Sequence, residues 1–216
     1  MAKRFVSDDP ERDVSDLVAL ALSTKSRIFI GVDPGIRGAL AAIAENPQIN
    51  PVILDMPYLE NQRITVRGGQ RKVGVRRVYD LHKLLEWLDP IHSTTKVIPL
   101  VTMCLEQSQP RPEDTPVTAF SIGCGYQIWP MWATVFNISY EQVRPSVWKR
   151  RIGLKDAEKE TSIIEAKRLF PRSHHYFQIK GDDGRAEALL LAEYGRRLRS
   201  GQLLAEQAQK ENAKRR

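Results

Sequence analysis

Four carboxylates stand at places where chemistry is feasible. Asp33 follows one apolar run, residues 27–32, and Glu106 closes another, residues 97–105. Asp183 and Glu187 lie four apart where a helical pattern begins, so they share one helix face. If the strands ending in Asp33 and Glu106 are parallel neighbours, both acids reach the same sheet edge, where ligands gather. Clustered acids without counter-charge are costly, because each raises its neighbours' pKa. Hard divalent cations remove that cost, and oxygen-only ligands suit Mg²⁺ or Mn²⁺ better than zinc. Each acid also has a plainer use. Asp33 can open the Asp33-Pro34-Gly35 turn, and Glu106 can pair with an arginine of the following loop. Asp183 or Asp182 can cap the helix. Glu187 resists such a reading, because residues 186–192 are otherwise wholly apolar.

Basic residues concentrate in two places. Arg63, Arg67, Arg71, Lys72, Arg76 and Arg77 crowd a stretch that also holds Gly68-Gly69 and Gly74, and Lys149-Arg150-Arg151 follow Trp148. With 33 basic and 26 acidic residues in 216, the net charge is +7, which suits a polyanionic partner such as nucleic acid. Tyr79, Trp87, Trp129, Trp132 and Trp148 could stack on bases, although core or interface packing is the more natural use of each. Cys104 and Cys124 can form neither a disulfide framework nor a four-cysteine zinc site, so a reducing compartment, the cytoplasm, is the expected location. His174-His175 has no matching His or Cys at ligand spacing and reads as a surface loop. Charges or prolines interrupt every run approaching the roughly 18 residues of a membrane span.

These residues must be positioned by the elements around them. Residues 1–26 read as an acidic N-terminal extension holding one short helix, with neither a secretory pattern nor an acid-poor transit pattern, which makes an organelle the less expected place. Residues 27–32, 38–44 and 51–56 suggest three strands in an antiparallel meander, the first two joined by a tight turn. The basic stretch at 60–78 suggests a hairpin. Leu81, Leu84, Leu85 and Leu88 recur at i, i+3, i+4 and i+7, predicting a helix over 79–88 that Pro90 ends. Residues 97–105 predict a central strand, 118–134 a helix flexed at Gly123 and Gly125, and 136–143 a fifth strand. Helices are expected over 157–170 and 184–198, followed by a basic tail from 200 to 216. The order predicts a mixed five-stranded α/β sheet, three antiparallel strands plus two parallel, with helices on both faces. The core domain would span 27–199.

Several segments, in order, resemble RuvC-type Holliday junction resolvases. Ile30-Gly31-Val32-Asp33-Pro34-Gly35 with Gly38-Ala39 is similar to their opening hairpin, and Leu105-Glu106-Gln107 to their second acidic motif. The segment 122–126 is similar to the glycine-bearing helix that follows. Segments 143–149 and 183–190 look closest to the monokaryotic-chloroplast branch and its phage and bacterial relatives. The resemblance implies an RNase H-like fold, a homodimer, and paired nicks in a four-way DNA junction, with no small-molecule cofactor and no membrane. It maps metal ligation and catalysis onto Asp33, Glu106, Asp183 and Glu187, with two Mg²⁺ or Mn²⁺ ions per site. Position 184 is glycine where bacterial RuvC has two aspartates three apart in its last helix, leaving both Asp182 and Asp183 as candidates. Lys155 or Lys159 would neutralise developing charge at the phosphate. The DNA path would take Arg67, Arg71, Lys72, Arg76 and Arg77, then Lys149, Arg150, Arg151, Lys155, Lys159 and Arg185.

Overall fold

The apolar run after Arg27 becomes β1 (Ile28–Asp33), which pairs antiparallel with β2 (Ala39–Ala44), itself antiparallel to β3 (Val52–Asp55). In this computed structural model, residues 10–95, 101–154, 159–179 and 181–201 are described. The chain then makes a long hairpin, β4 (Tyr58–Arg67) and β5 (Gln70–Tyr79), that forms its own two-stranded sheet. Its two-residue turn is Gly68-Gly69, both at positive φ (56° and 75°), a conformation that favours glycine and matches the twist of a hairpin.

The helix α2 (Leu81–Thr95) leads to β6 (Val101–Glu106), and α3 (Pro116–Val135) leads to β7 (Ser139–Val143). Both strands are parallel to β1, giving the sheet order β3-β2-β1-β6-β7. This is the mixed five-stranded sheet of an RNase H-like α/β fold, with helices on both faces. The chain closes with α4 (Pro145–Arg151), α5 (Lys159–Leu169), a 3-10 turn over Pro171–Tyr176, and α6 (Asp183–Arg199).

Successive strand residues face opposite sides, so β1 feeds two cores. Ile28, Ile30 and Val32 join one cluster with Leu84, Trp87, Trp129 and Trp132, which also takes Val14, Leu17, Val18 and Ala21 of α1 (Pro10–Ser23). Phe29, Cys104 and Ala41 join the other, with Trp148 and the apolar residues of α6. There α6 lies directly on β1. A Cβ at Gly31 would stand 2.0 Å from the Ala188 carbonyl oxygen, so only glycine permits this approach.

Three sequence expectations change. The helix predicted to stop at Pro90 continues to Thr95. Its buried stripe is Leu84, Trp87, Leu88 and Ile91, while Leu81 and Leu85 are about half exposed, because burying Trp87 turns the helix away from the all-leucine face. The expected flexure at Gly123 and Gly125 does not interrupt α3, which runs unbroken through both glycines and Pro130. Expectations for residues 97–100, 157–158 and 202–216 fall outside the described residues. Among the described residues, no helix is long and apolar enough to cross a membrane.

Candidate active site at the carboxyl edge of the sheet

The register Val32↔Leu105 between parallel β1 and β6 makes Asp33 and Glu106 the next residues on adjacent strands, on the face that α6 covers. Glu187 comes to the same place from α6. The three acids meet electrostatically. Asp33 is pushed up to about 7, first by burial and then by the charges of Glu106 and Glu187. The Gly35 N–H, 3.4 Å from Asp33 Oδ1, and the Lys149 ammonium offset only part of this. Burial also raises Glu106, against the pull of the Trp148 indole N–H, which donates to Glu106 Oε2 at 2.7 Å. Trp148 is fully buried, which fixes that donor in place.

Glu187 is held twice. Lys149 Nζ donates to its Oε1 at 2.6 Å, and Ser162 Oγ donates to the same oxygen at 3.2 Å. Lys149 was expected along the DNA path, but its ammonium is turned inward as the counter-ion of the acids. Among the described residues, no three His, Cys, Asp or Glu side chains stand close enough to hold one metal ion. The donor set itself is carboxylate oxygen throughout, the chemistry a hard cation takes, with a lysine now supplying the positive charge.

Asp183 opens α6 beside Gly184, where the helix start meets the turn after β1. A Cβ at Gly184 would lie 2.7 Å from the Arg37 carbonyl oxygen and 3.4 Å from Asp33 Oδ2. The glycine that departs from the bacterial pattern therefore lets the helix reach the Asp33 turn. Asp182 takes the N-cap position of α6, but its side chain makes no cap hydrogen bond. Its Oδ2 instead accepts from the backbone N–H groups of Gln178 and Ile179 at 2.9 and 3.0 Å, and its Oδ1 lies 3.7 Å from Arg185 Nη1. Asp182 is buried, so its use is structural.

Arg185 requires a correction as well. It was placed among DNA contacts, yet it is only 4% exposed. Its guanidinium grips both oxygens of Asp55 at 2.7 Å and donates to the Tyr176 carbonyl, tying α6 to β3. A charge this deep persists only when paired, and this one is held inside the fold rather than presented on the surface. Trp87, Trp129 and Trp132 are core residues, as is Trp148. The Tyr79 hydroxyl donates to the Pro34 carbonyl, and its ring lies against Gly125, so it braces the turn after Asp33. His174 and His175 are exposed in the 3-10 turn.

On the hairpin, Arg71, Arg76 and Arg77 are exposed. Arg76 reaches Ser121 of α3 at 2.9 Å, while Arg77 pairs with Glu60 and lies 4.5 Å over the Tyr58 ring. Arg67 and Lys72 belong to β4 and β5 at the register pairs Arg67↔Gln70 and Thr65↔Lys72. Arg150 is exposed, and Arg151 reaches the Tyr194 hydroxyl at 3.4 Å. Lys159 begins α5, and Lys155 lies outside the described residues. The sequence did not single out Trp148 or Ser162 as partners of the acids. Their signal was weak, since each is one more polar-tipped residue in an amphipathic stretch.

No protein-family model matches the chain, and comparison with curated proteins finds no similar sequence. Solved structures do resemble it. RuvC of T. thermophilus in complex with a Holliday junction substrate is 14% identical, covers 81% of this chain and 96% of its own, and superposes with a TM-score of 0.43. A second Thermus thermophilus RuvC structure gives 17% identity over the same shares, with a TM-score of 0.39. This is a distant likeness of fold.

Proposed function

We propose that the chain is a divalent-metal-dependent endonuclease that resolves four-way DNA junctions by paired nicks. The observation that carries this reading is the electrostatic coupling of Asp33 with Glu106 and Glu187, which three elements bring to the carboxyl edge of two parallel strands. Asp33, Glu106, Glu187 and Asp183 would hold the metal, Mg²⁺ or Mn²⁺. When bound, the metal neutralises the phosphate and favours water as nucleophile. The chain's own residues do the rest. Trp148 and Ser162 keep Glu106 and Glu187 aimed at the site. Lys149 pairs with Glu187 and offsets part of the acids' charge, and with a cation held by the acids its ammonium would be available to a phosphate oxygen. Lys159, with Lys155, is placed by sequence near the same phosphate. Arg67, Arg71, Lys72, Arg76 and Arg77 of the hairpin, with Arg150 and Arg151, would track the DNA backbone. Phosphate contacts of this kind position a duplex without reading its sequence, so junction shape supplies selectivity.

Two scissile strands on opposite sides of a junction call for a symmetric dimer. The large exposed apolar residues of α3, Phe120 at 69% and Val135 at 68%, support that helix as the interface. One observation favours a second reading. The Lys149–Glu187 ion pair offsets part of the site's negative charge without metal, as a noncatalytic junction-binding module would need. Cleavage of synthetic four-way junctions, flaps and RNA–DNA hybrids in Mg²⁺, by the wild type and by Asp33→Asn, separates these. The expected result is symmetric nicking of the four-way junction, absent in the variant. Preferred cleavage of flaps or hybrids moves the assignment to another RNase H-like nuclease. Tight junction binding without cleavage by the wild type leaves the binding module.

A further inference from the structure

At the end of the sheet opposite the acids, α6 carries a second charged constellation. Glu193 is 3% exposed, and two guanidiniums neutralise it. Arg196 donates through Nε and Nη2 to both of its oxygens at 2.7 Å, and Arg197 donates through Nε at 2.7 Å. One buried carboxylate thus anchors two arginines, and a third, Arg172, stands across from them, tethered to the carbonyl and side-chain oxygen of Gln48. These four charged side chains line a cleft of about 350 Å³ between the loop after β2 and the 3-10 turn. Their formal charges sum to +2. The nearby Glu45 is paired with Arg27 at 2.5 Å and also acts on Arg196, which trims this excess without removing it. Arg197 uses only its Nε, and its two terminal nitrogens have no partner among the described residues. The rest of the lining is mostly apolar, with Pro47, Pro51, Phe170 and Pro171 beside the polar Asn50 and Ser173. A volume of a few hundred cubic ångströms with apolar walls and a few convergent polar groups is the ordinary form of a small-ligand site.

We infer that this cleft binds a phosphate monoester with a flat apolar body, the chemistry of a mononucleotide. The terminal nitrogens of Arg197 present a fork that matches two phosphate oxygens, and Arg172 closes on the third. The proline and phenylalanine walls take the planar body. Glu193 makes this possible by fixing Arg196 and Arg197, so less side-chain freedom is lost on binding. Glu187 and Arg196 are nine residues apart on α6, about 13 Å at the rise of a helix, so the cleft is distinct from the acid site. The inference does not rest on nuclease activity.

Calorimetric titration of the full chain in the absence of divalent ions tests it. The probes are AMP, adenosine, inorganic phosphate and a short 5′-phosphorylated oligonucleotide. AMP is expected to bind once per chain, at least tenfold tighter than phosphate or adenosine. Arg197→Ala should weaken AMP at least tenfold with little change in melting temperature, because Arg196 still pairs with both Glu193 oxygens. Arg172→Ala, which leaves Glu193 untouched, should weaken it several-fold and guards against misfolding of the first variant. If the oligonucleotide competes with AMP and shows the same Arg197 dependence, the natural source is a strand end; if it does not compete, the source is a free nucleotide. Absence of saturable AMP binding, binding unchanged in both variants, or AMP no tighter than phosphate overturns the inference.

Discussion

Asp33 carries the main electrostatic cost of the acid site, and the sign of that cost can be tested. Its carboxyl is pushed up to about 7 in the fold, from 3.8 ordinarily. Between those values the folded chain binds more protons than the unfolded one, so stability falls as pH rises. The contribution is full below the unfolded value and lost by the time pH passes through about 7. Asp33→Asn removes the charge and keeps the shape. In the absence of divalent ions it should melt above the wild type at pH 8 and close to it at pH 4. Thermal scans at both values decide this, and a variant that melts lower at pH 8 refutes the sign. Adding Mg²⁺ at pH 8 should stabilise the wild type more than the variant. Asp182 and Asp183 should also separate. Asp182→Asn disturbs a buried acceptor of two backbone N–H groups and should cost about 1–3 kcal/mol, read as a lower melting temperature. Asp183→Asn should leave melting nearly unchanged and remove cleavage. The reverse pattern would move the ligand role to Asp182.

Two elements make the geometry, and each can be disturbed separately. Helix α6 reaches the sheet only because Gly31 and Gly184 have no Cβ. Gly31→Ala would place a methyl 2.0 Å from one helix backbone atom and 2.4 Å from another, so the helix itself must move. Overpacking of that kind typically costs about 1–3 kcal/mol, and backbone contacts put this case at the upper end. Urea unfolding should show the loss, and an unchanged midpoint would mean that α6 does not lie on β1 as described. The hairpin is the opposite case, an element that adds charge rather than packing. Replacing Arg71, Lys72, Arg76 and Arg77 by alanine should leave urea unfolding nearly unchanged while flattening the salt dependence of junction binding. Equal slopes for variant and wild type would remove the hairpin from the DNA path.

For the whole molecule, the paired chemistry proposed here requires two active sites related by symmetry. Sedimentation should therefore give a dimer, and Phe120→Glu together with Val135→Glu on the exposed side of α3 should give a monomer that still folds. A monomer in the wild type, free and with junction DNA, would sink paired nicking by this chain. A dimer unaffected by both substitutions would place the interface elsewhere.

Local pattern determined much of this protein. Alternation, glycine turns and helical spacing made the meander, the hairpin and α6 legible, because those signals depend on a few neighbouring residues. The sequence also marked Asp33, Glu106 and Glu187, since an acid ending an apolar strand or interrupting an apolar helix demands a reason. Other features depended on partners distant in the chain. Leu81 and Leu85 fit the helical stripe as well as Trp87 did, and only packing against the sheet chose the tryptophan face. Pro90 read as a break, yet the helix runs on through it to Thr95. Arg185 looked like one more basic residue near the acids until Asp55, 130 residues away, claimed it. Lys149 shows the same limit, because the carboxylate 38 residues away decides whether its charge faces DNA or the acids. A charge in sequence has no direction, and the fold assigns one by burying one partner beside the other.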